Sequence, residues 1–306
     1  MNYPTQFKSY LQGKDFSEST QTTYARNVNL FFNRTEVEEI QTTKADILSY
    51  LEYLKNTRGQ QNHSRKIHLQ ALQLYFTCLY QNEIIAKNPC LFLKIRGAKP
   101  KTLHRTFTAE QLSQIFDNYY TYYIENPEKS TLSKQRNAAI LSVLLHQGTT
   151  TREIDSSQKE DLDLIKATIK IRGGKRSNGR SISLKAEQIG LLMHYIQNIR
   201  PQLINLSAIE NNKLFLPLPE HLNQKTKTDN LMNTFRDLTK QVKVIEPSFT
   251  NFKQSRASVI TIWLKMLGLR KTQYLAGHRS INSTENYLAN NVEELTNNIK
   301  TLHPYV

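Results

Sequence analysis

The stretch Leu275-Ala276-Gly277-His278-Arg279-Ser280-Ile281-Asn282-Ser283-Thr284-Glu285-Asn286-Tyr287 sets a His nine residues before a Tyr, directly after a Gly. A small polar pair, Ser283-Thr284, lies between them. About twenty residues upstream, Lys253-Gln254-Ser255-Arg256 heads an amphipathic helix. A Tyr, a His, an Arg and a Lys in one basic segment point to phosphodiester chemistry. A phenol oxygen can attack phosphorus, and cations stabilise the charge that develops.

The composition agrees. Lys and Arg total 41 against 26 Asp and Glu, a formal net charge of +15 over 306 residues. A chain this basic is expected to meet a polyanion, with nucleic acid ahead of a membrane surface. Two cysteines, Cys78 and Cys90, exclude a disulfide framework and read as small buried hydrophobes. The beginning Met1-Asn2-Tyr3-Pro4 lacks the apolar run of a signal peptide, and no apolar run has bilayer-spanning length. The expected localisation is cytoplasmic, on the nucleoid, with no membrane partner.

Working outward from the motif, the length suggests two domains. Residues 1–92 read as helical. Ser17-Glu18-Ser19-Thr20 precedes Tyr24, Val28, Phe31 and Phe32 at helical spacing. Thr43 to Asp46 caps a second helix carrying Ile47, Tyr50, Leu51 and Leu54. A third helix is expected over 64–81, with Ile67, Ala71, Leu74, Tyr75 and Cys78 on one side and Arg65, Lys66 and His68 on the other. Asn88-Pro89 stops the pattern.

Residues 93–107 read as a basic linker. Lys94, Arg96, Lys99 and Lys101 have no acid among them and are expected to lie along DNA phosphates.

The pattern restarts in 108–306. Thr108-Ala109-Glu110-Gln111 is a capping box before Leu112, Ile115 and Phe116. An apolar helix runs from Arg136 to His146 and ends near Gly148. Thr168–Arg172 and Ser181–Leu184 alternate apolar and polar, as half-buried strands do. Between them Gly173 to Arg180 forms a basic, glycine-punctuated hairpin loop. A helix carrying Ile189, Leu192, Tyr195, Ile196 and Ile199 is expected to end at Pro201. Another runs from Lys253 to Leu267, its buried stripe being Ala257, Ile260, Trp263, Leu264 and Leu267. Val292, Leu295, Ile299 and Leu302 have near-helical spacing.

On these motifs the chain resembles the tyrosine site-specific recombinases, the family of phage integrases and of Xer-type and Cre-type enzymes. The likeness covers nearly the whole chain. It implies a mainly α fold. An N-terminal helical core-binding domain, SAM-like, joins a C-terminal mixed α/β catalytic domain with a small antiparallel sheet. It also implies a C-shaped clamp on double-stranded DNA that works as a homotetramer, with an accessory DNA-bending protein among its partners. No cofactor and no metal is implied. The expected activity is site-specific strand exchange through a 3′-phosphotyrosyl intermediate, for a mobile element.

Residue by residue, Tyr287 matches the nucleophile, Arg256 the second family arginine and His278 the third position of the pattern. Lys175 matches the hairpin lysine that protonates the leaving 5′ oxygen. Lys253 stands where most relatives have His; its ammonium can stabilise phosphate charge but is a poor general base. Arg176, Arg180 and Arg279 are expected at the DNA.

One position departs from the pattern. Gly148-Thr149-Thr150-Thr151-Arg152-Glu153-Ile154 aligns at Glu153 and Ile154 but puts Thr150 where the first catalytic arginine belongs. Losing a charged clamp costs roughly 10²–10³ in rate by analogy with a lost oxyanion donor. Arg152 is the nearest substitute, although two helical residues rotate it by about 200°. Arg176, Arg180 and Arg279 are the others. A second reading follows: a DNA-binding accessory or regulatory protein with an impaired site. A third, weaker one is an RNA-binding protein.

Overall fold

The computed structural model describes residues 5–97, 105–174, 177–207, 212–218 and 231–288. Four helices build the first half: α1 (Thr5–Gly13), α2 (Glu18–Thr35), α3 (Lys44–Asn56) and α4 (Asn62–Gln81). Ser17 caps α2, and Thr43 with Asp46 forms a complete capping box on α3. The predicted apolar positions of α2 and α3 are all buried. Phe7, Phe31, Phe32, Tyr50, Tyr75 and Phe76 meet largely edge-to-face. Such pairs add about 0.5–1.5 kcal/mol each beyond their buried area.

Two features of this half differ from the reading. Helix α1 was not expected; its Phe7 and Leu11 enter the core. His68 was assigned to the polar side of α4 but is buried, its Nδ1 3.1 Å from the Tyr50 hydroxyl. A hydrogen-bonding partner across the core makes an inward histidine tolerable. Cys78 and Cys90 are buried thiols, as expected.

Chain contacts divide the molecule into Met1–Thr102 and Leu103–Val306. Leu93 and Ile95 pack on the first core and Phe107 on the second, while Lys94 and Arg96 are exposed. Lys99 and Lys101 lie outside the described residues.

The second unit is built around α6 (Leu132–His146), buried on every side from Arg136 to Leu145. A helix apolar all round belongs at the centre. Helix α5 (Ala109–Tyr123), with the predicted Thr108/Gln111 capping box, packs on it. So does α11 (Phe252–Ala276), started by an Asn251 cap. Short helix α7 (Thr151–Ser156) follows, then a three-stranded antiparallel sheet in the order β1 (Leu162–Asp163), β2 (Thr168–Ile171), β3 (Arg180–Ser183). β1 extends the two predicted strands. Ile169 pairs with Ile182 and Ile171 with Arg180.

Helix α8 (Ala186–His194) does not end at Pro201. It continues through a π turn, Tyr195–Ile199, into α9 (Arg200–Ser207). Pro201 is the second residue of α9, directly after the π turn, and the helix runs through it. Helix α10 (Met232–Ile245), unread in the sequence, buries Phe235, Leu238 and Val242.

In α11, Ala257 and Ile260 are buried, Trp263 and Leu264 partly so, and Leu267 is exposed. The stripe fails there because Gly268, at φ 76° and ψ 176°, breaks the helix one residue later. Helix α12 (Asn282–Glu285) then carries the chain to Tyr287. Residues 289–306, with the near-helical Val292 to Leu302 spacing, lie outside the described residues.

Candidate active site

Arg256 comes from the first third of α11. Its guanidinium is the hub of the site. One Nη donates to the Gly148 carbonyl, and the other to the Ala276 carbonyl at 2.7 Å. These bonds tie the turn after α6 to the end of α11. The Tyr287 side chain lies within electrostatic reach of Arg256. Burial pulls its pKa down, with the Arg180 charge adding to that, against an opposing pull from Glu153 and Tyr287.

Gly277 closes α11 in the left-handed conformation at φ 68°. That turn presents His278. Arg256 Nη2 lies 3.3 Å from His278 Nε2, and an arginine can only donate, so Nε2 accepts. The ring proton of the neutral imidazole therefore sits on Nδ1, which donates to Thr284 Oγ1 at 2.9 Å. Burial first, then the Arg256 and Arg180 charges, press its pKa down from 6.5 to about 4, against a smaller opposing pull from Glu153. The imidazole is thus neutral near pH 7. Its ring stacks on that of Tyr287, centroids 5.8 Å apart and planes 12° apart.

Thr150 is the N-cap of α7. Its hydroxyl accepts from the Glu153 amide at 3.2 Å and donates to Glu153 Oε2 at 3.0 Å; its own amide donates to Oε2 at 2.8 Å. The position that lacks an arginine is thus given to starting a helix, a choice worth about 1 kcal/mol.

Arg180 corrects the reading of a DNA-facing loop cation. It begins β3 rather than lying in the loop, and its side chain is fully buried. Strand alternation explains this: Arg180 and Ile182 share the inner face. Its Nη1 donates to Glu153 Oε1 at 2.6 Å and Nη2 to Oε2 at 3.3 Å. Burial alone would raise the Glu153 carboxyl. The Arg180 fork, the Thr150 amide and the Arg256 charge outweigh it and hold the group below the usual carboxylate range.

The other predicted residues divide. Arg279 is exposed and donates to the Gly174 carbonyl at 3.0 Å, which together with Asn178 N–H to Gly277 O ties the hairpin to the His278 turn. Lys253 is exposed at the start of α11 and Arg152 is exposed on α7. Neither makes a hydrogen bond to Arg256, His278 or Tyr287 among the described residues, so the structure does not bring them into the cluster. For Arg152 the rotation on α7 is the reason. Lys175 and Arg176 lie outside the described residues.

Glu153 and Thr284 went unassigned in the sequence. The Ser283-Thr284 pair inside the motif was the available signal for Thr284, and the capping-box spacing from Thr150 for Glu153. Among the described residues, no group of three His, Cys, Asp or Glu is placed to hold a metal ion. No described helix is long and apolar enough to cross a membrane.

A tyrosine whose ring stacks on a neutral imidazole, beside a largely buried guanidinium, is equipped to attack an anionic ester. Comparison with known proteins agrees. Residues 105–294 match the model of the phage integrase family, and residues 5–86 match the phage integrase N-terminal SAM-like domain. The chain belongs to the phage integrase family. It is 24% identical to the tyrosine recombinase XerC of Leptospira interrogans over 98% of this chain and 92% of that protein. It is 25% identical to the XerC of Thermodesulfovibrio yellowstonii over 99% and 96%. Among solved structures, the fold is similar to the Tn1549 transposon integrase in complex with a circular intermediate DNA, at TM-score 0.62, 16% identity and 92% and 93% coverage. It is also similar to the XerH site-specific recombinase bound to difH substrate, at TM-score 0.62, 18% identity and 90% and 75% coverage.

Proposed function

We propose that this chain is a site-specific DNA recombinase that cleaves and rejoins strands through Tyr287. The observation that carries the reading is the meeting of Arg256, His278 and Tyr287, brought from α11, the turn that closes it and the segment after α12. The Tyr287 oxygen attacks the phosphorus. A phosphotyrosyl bond forms as the bond to the 5′ oxygen breaks, and the leaving oxygen takes a proton, from Lys175 on the family pattern. Arg256 stabilises the charge on the non-bridging oxygens. As Arg256 Nη2 turns from His278 Nε2 to the phosphate, that nitrogen is freed to take the Tyr287 proton, and the arriving phosphate charge raises its depressed pKa. Solved structures of similar recombinases in complex with DNA support double-stranded DNA as the substrate. The domain limits 1–92 and 108–306 with a basic linker 93–107, the homotetramer, the accessory DNA-bending partner and service to a mobile element belong to the same proposal.

The test uses duplex sites selected from a random pool, nicked beside the cleavage position to trap the intermediate. Wild type is expected to form an SDS-stable covalent adduct, and Tyr287→Phe none. An adduct with Tyr287→Phe would rule out this nucleophile. Thr150 favours the second reading, a DNA-binding protein with a silent site; wild type that binds the site yet yields no adduct would establish that instead.

A further inference from the structure

We infer that Arg180 is a positioning residue of the cleavage site, one that occupies the Glu153 carboxylate so that Arg256 keeps its charge for the phosphate. This rests on the strand-cleavage reading above. Three observations lead to it.

First, the carboxylate has two arginines within reach and is shared unequally. Arg180 holds it with a fork at 2.6 and 3.3 Å, whereas Arg256 approaches Oε2 only to 3.5 Å. Secondly, the three groups together carry one net positive charge. Without Arg180, Glu153 and Arg256 would cancel, and the 3.5 Å contact would have every reason to shorten. Thirdly, the Arg180 side chain has no exposed surface, so it works through Glu153 and not by touching DNA. Its Nε is buried with no hydrogen-bond partner among the described residues. That is a costly arrangement for a group whose only task is packing. Thr150 makes the arrangement necessary. A family arginine there would stand beside Glu153; a threonine offers it only a hydroxyl and an amide. Strand β3 supplies the missing guanidinium from the other side of the carboxylate.

The nicked-substrate assay and a histidine titration test this together. Arg180→Gln is expected to lower adduct formation about 100-fold while leaving site affinity within about threefold, a loss of the order seen for one charged transition-state contact. Glu153→Gln placed in the Arg180→Gln background restores the net charge and is expected to recover at least tenfold. Arg180→Lys, which keeps the charge but not the fork, should fall between. Recovery by removing a second group is something a merely structural arginine would not give. The neighbours facing His278 are Arg256, Arg180, Glu153, Thr284 and Tyr287. Its NMR pKa is expected to rise in Arg180→Gln and to fall back in the double variant.

Arg180→Gln within threefold of wild type overturns the inference. So does a double variant as inactive as the single one, because the arginine would then be needed for itself. If Arg180→Gln fails to fold, the double variant, whose Arg256 stays bonded to the Gly148 and Ala276 carbonyls, carries the test: retention of a tenth of wild-type cleavage supports the inference and a 100-fold loss overturns it. Absence of any adduct with wild type would sink the cleavage reading instead. The titration would still decide Arg180, since an unmoved His278 in Arg180→Gln overturns it.

Discussion

His278 donates from Nδ1 and accepts at Nε2, and the second bond requires the neutral ring. Its pKa in the folded protein is about 4, below the ordinary 6.5. As pH falls, the unfolded chain therefore takes up a proton before the folded one does. The stability this group allows is complete above about pH 6.5 and is lost progressively toward pH 4. His146, also pushed to about 4 by burial and then by Lys185, contributes in the same direction. The expected result is a Tm that falls between pH 7 and pH 5, with a shallower fall in His278→Asn and a still shallower one when His146 is replaced as well, the buried His68 keeping the remainder. A wild-type Tm independent of pH over that window would contradict the assignment. At the same scale, the Arg180–Glu153 pair predicts a large stability loss, about 3–5 kcal/mol, for Glu153→Ala, because a buried guanidinium is left unpaired. Denaturant midpoints check it, and a loss below 1 kcal/mol would mean that water replaces the carboxylate.

Helix α11 depends on two glycines for different reasons. A Cβ at Gly277 would come within 2.5 Å of Arg180 Nη1 and 2.9 Å of the Asn178 carbonyl, at a positive φ. Gly277→Ala is expected to lower both the Tm and the adduct yield, since Arg180 must move. Gly268 faces open space, yet φ 76° and ψ 176° is a region only glycine occupies readily. Gly268→Ala should therefore cost about 1–3 kcal/mol through the backbone alone and leave cleavage largely intact. An unchanged Tm would show that the break straightens at no cost. How far the elements were legible follows from the same physics. Helices α2 and α3 were readable because their apolar residues keep helical spacing and their caps stand at the right place. Helix α1 has too few apolar residues to signal itself. Helix α10 has the spacing, in Phe235, Leu238 and Val242, and was overlooked. Pro201 misled because a π turn, which leaves no mark in the sequence, precedes it and lets the helix run through it. The site was legible at Tyr287, Arg256 and His278, whose spacing is local to α11 and its continuation. Arg180 was not, because its partner Glu153 lies across the sheet, 27 residues away in sequence. The alternation Arg180-Ser181-Ile182-Ser183 held the clue, since an arginine in phase with a buried isoleucine points inward.

For the molecule as a whole, the dominant quantity is the +15 net charge. If the chain neutralises DNA phosphates, log Kobs falls linearly with log salt, with a slope near −0.9 for each phosphate contacted. Lys94 and Arg96 are exposed, beside the anchored Leu93 and Ile95. Lys94→Ala with Arg96→Ala is expected to flatten the slope by about 2, measured by fluorescence anisotropy between 50 and 200 mM salt. An unchanged slope would remove both residues from the interface. Weakening should be uniform across sequences, because phosphate contacts position a protein without reading bases.

The inward turn of one strand residue also constrains descent. A lineage with an arginine at position 150 can gain Arg180 first, and the carboxylate is then held twice. Replacement of residue 150 by threonine afterwards is tolerated, and the new helix cap even rewards it. The opposite order passes through an ancestor whose Glu153 has only Arg256 to pair with, and whose cleavage would be crippled. Sequences that keep Glu at 153 and threonine at 150 should therefore carry an arginine at the first inward position of β3, whereas those with Gln at 153 are released from it. That pairing can be counted in an alignment, and sequences with Glu at 153, threonine at 150 and no arginine at the first inward position of β3 would count against it.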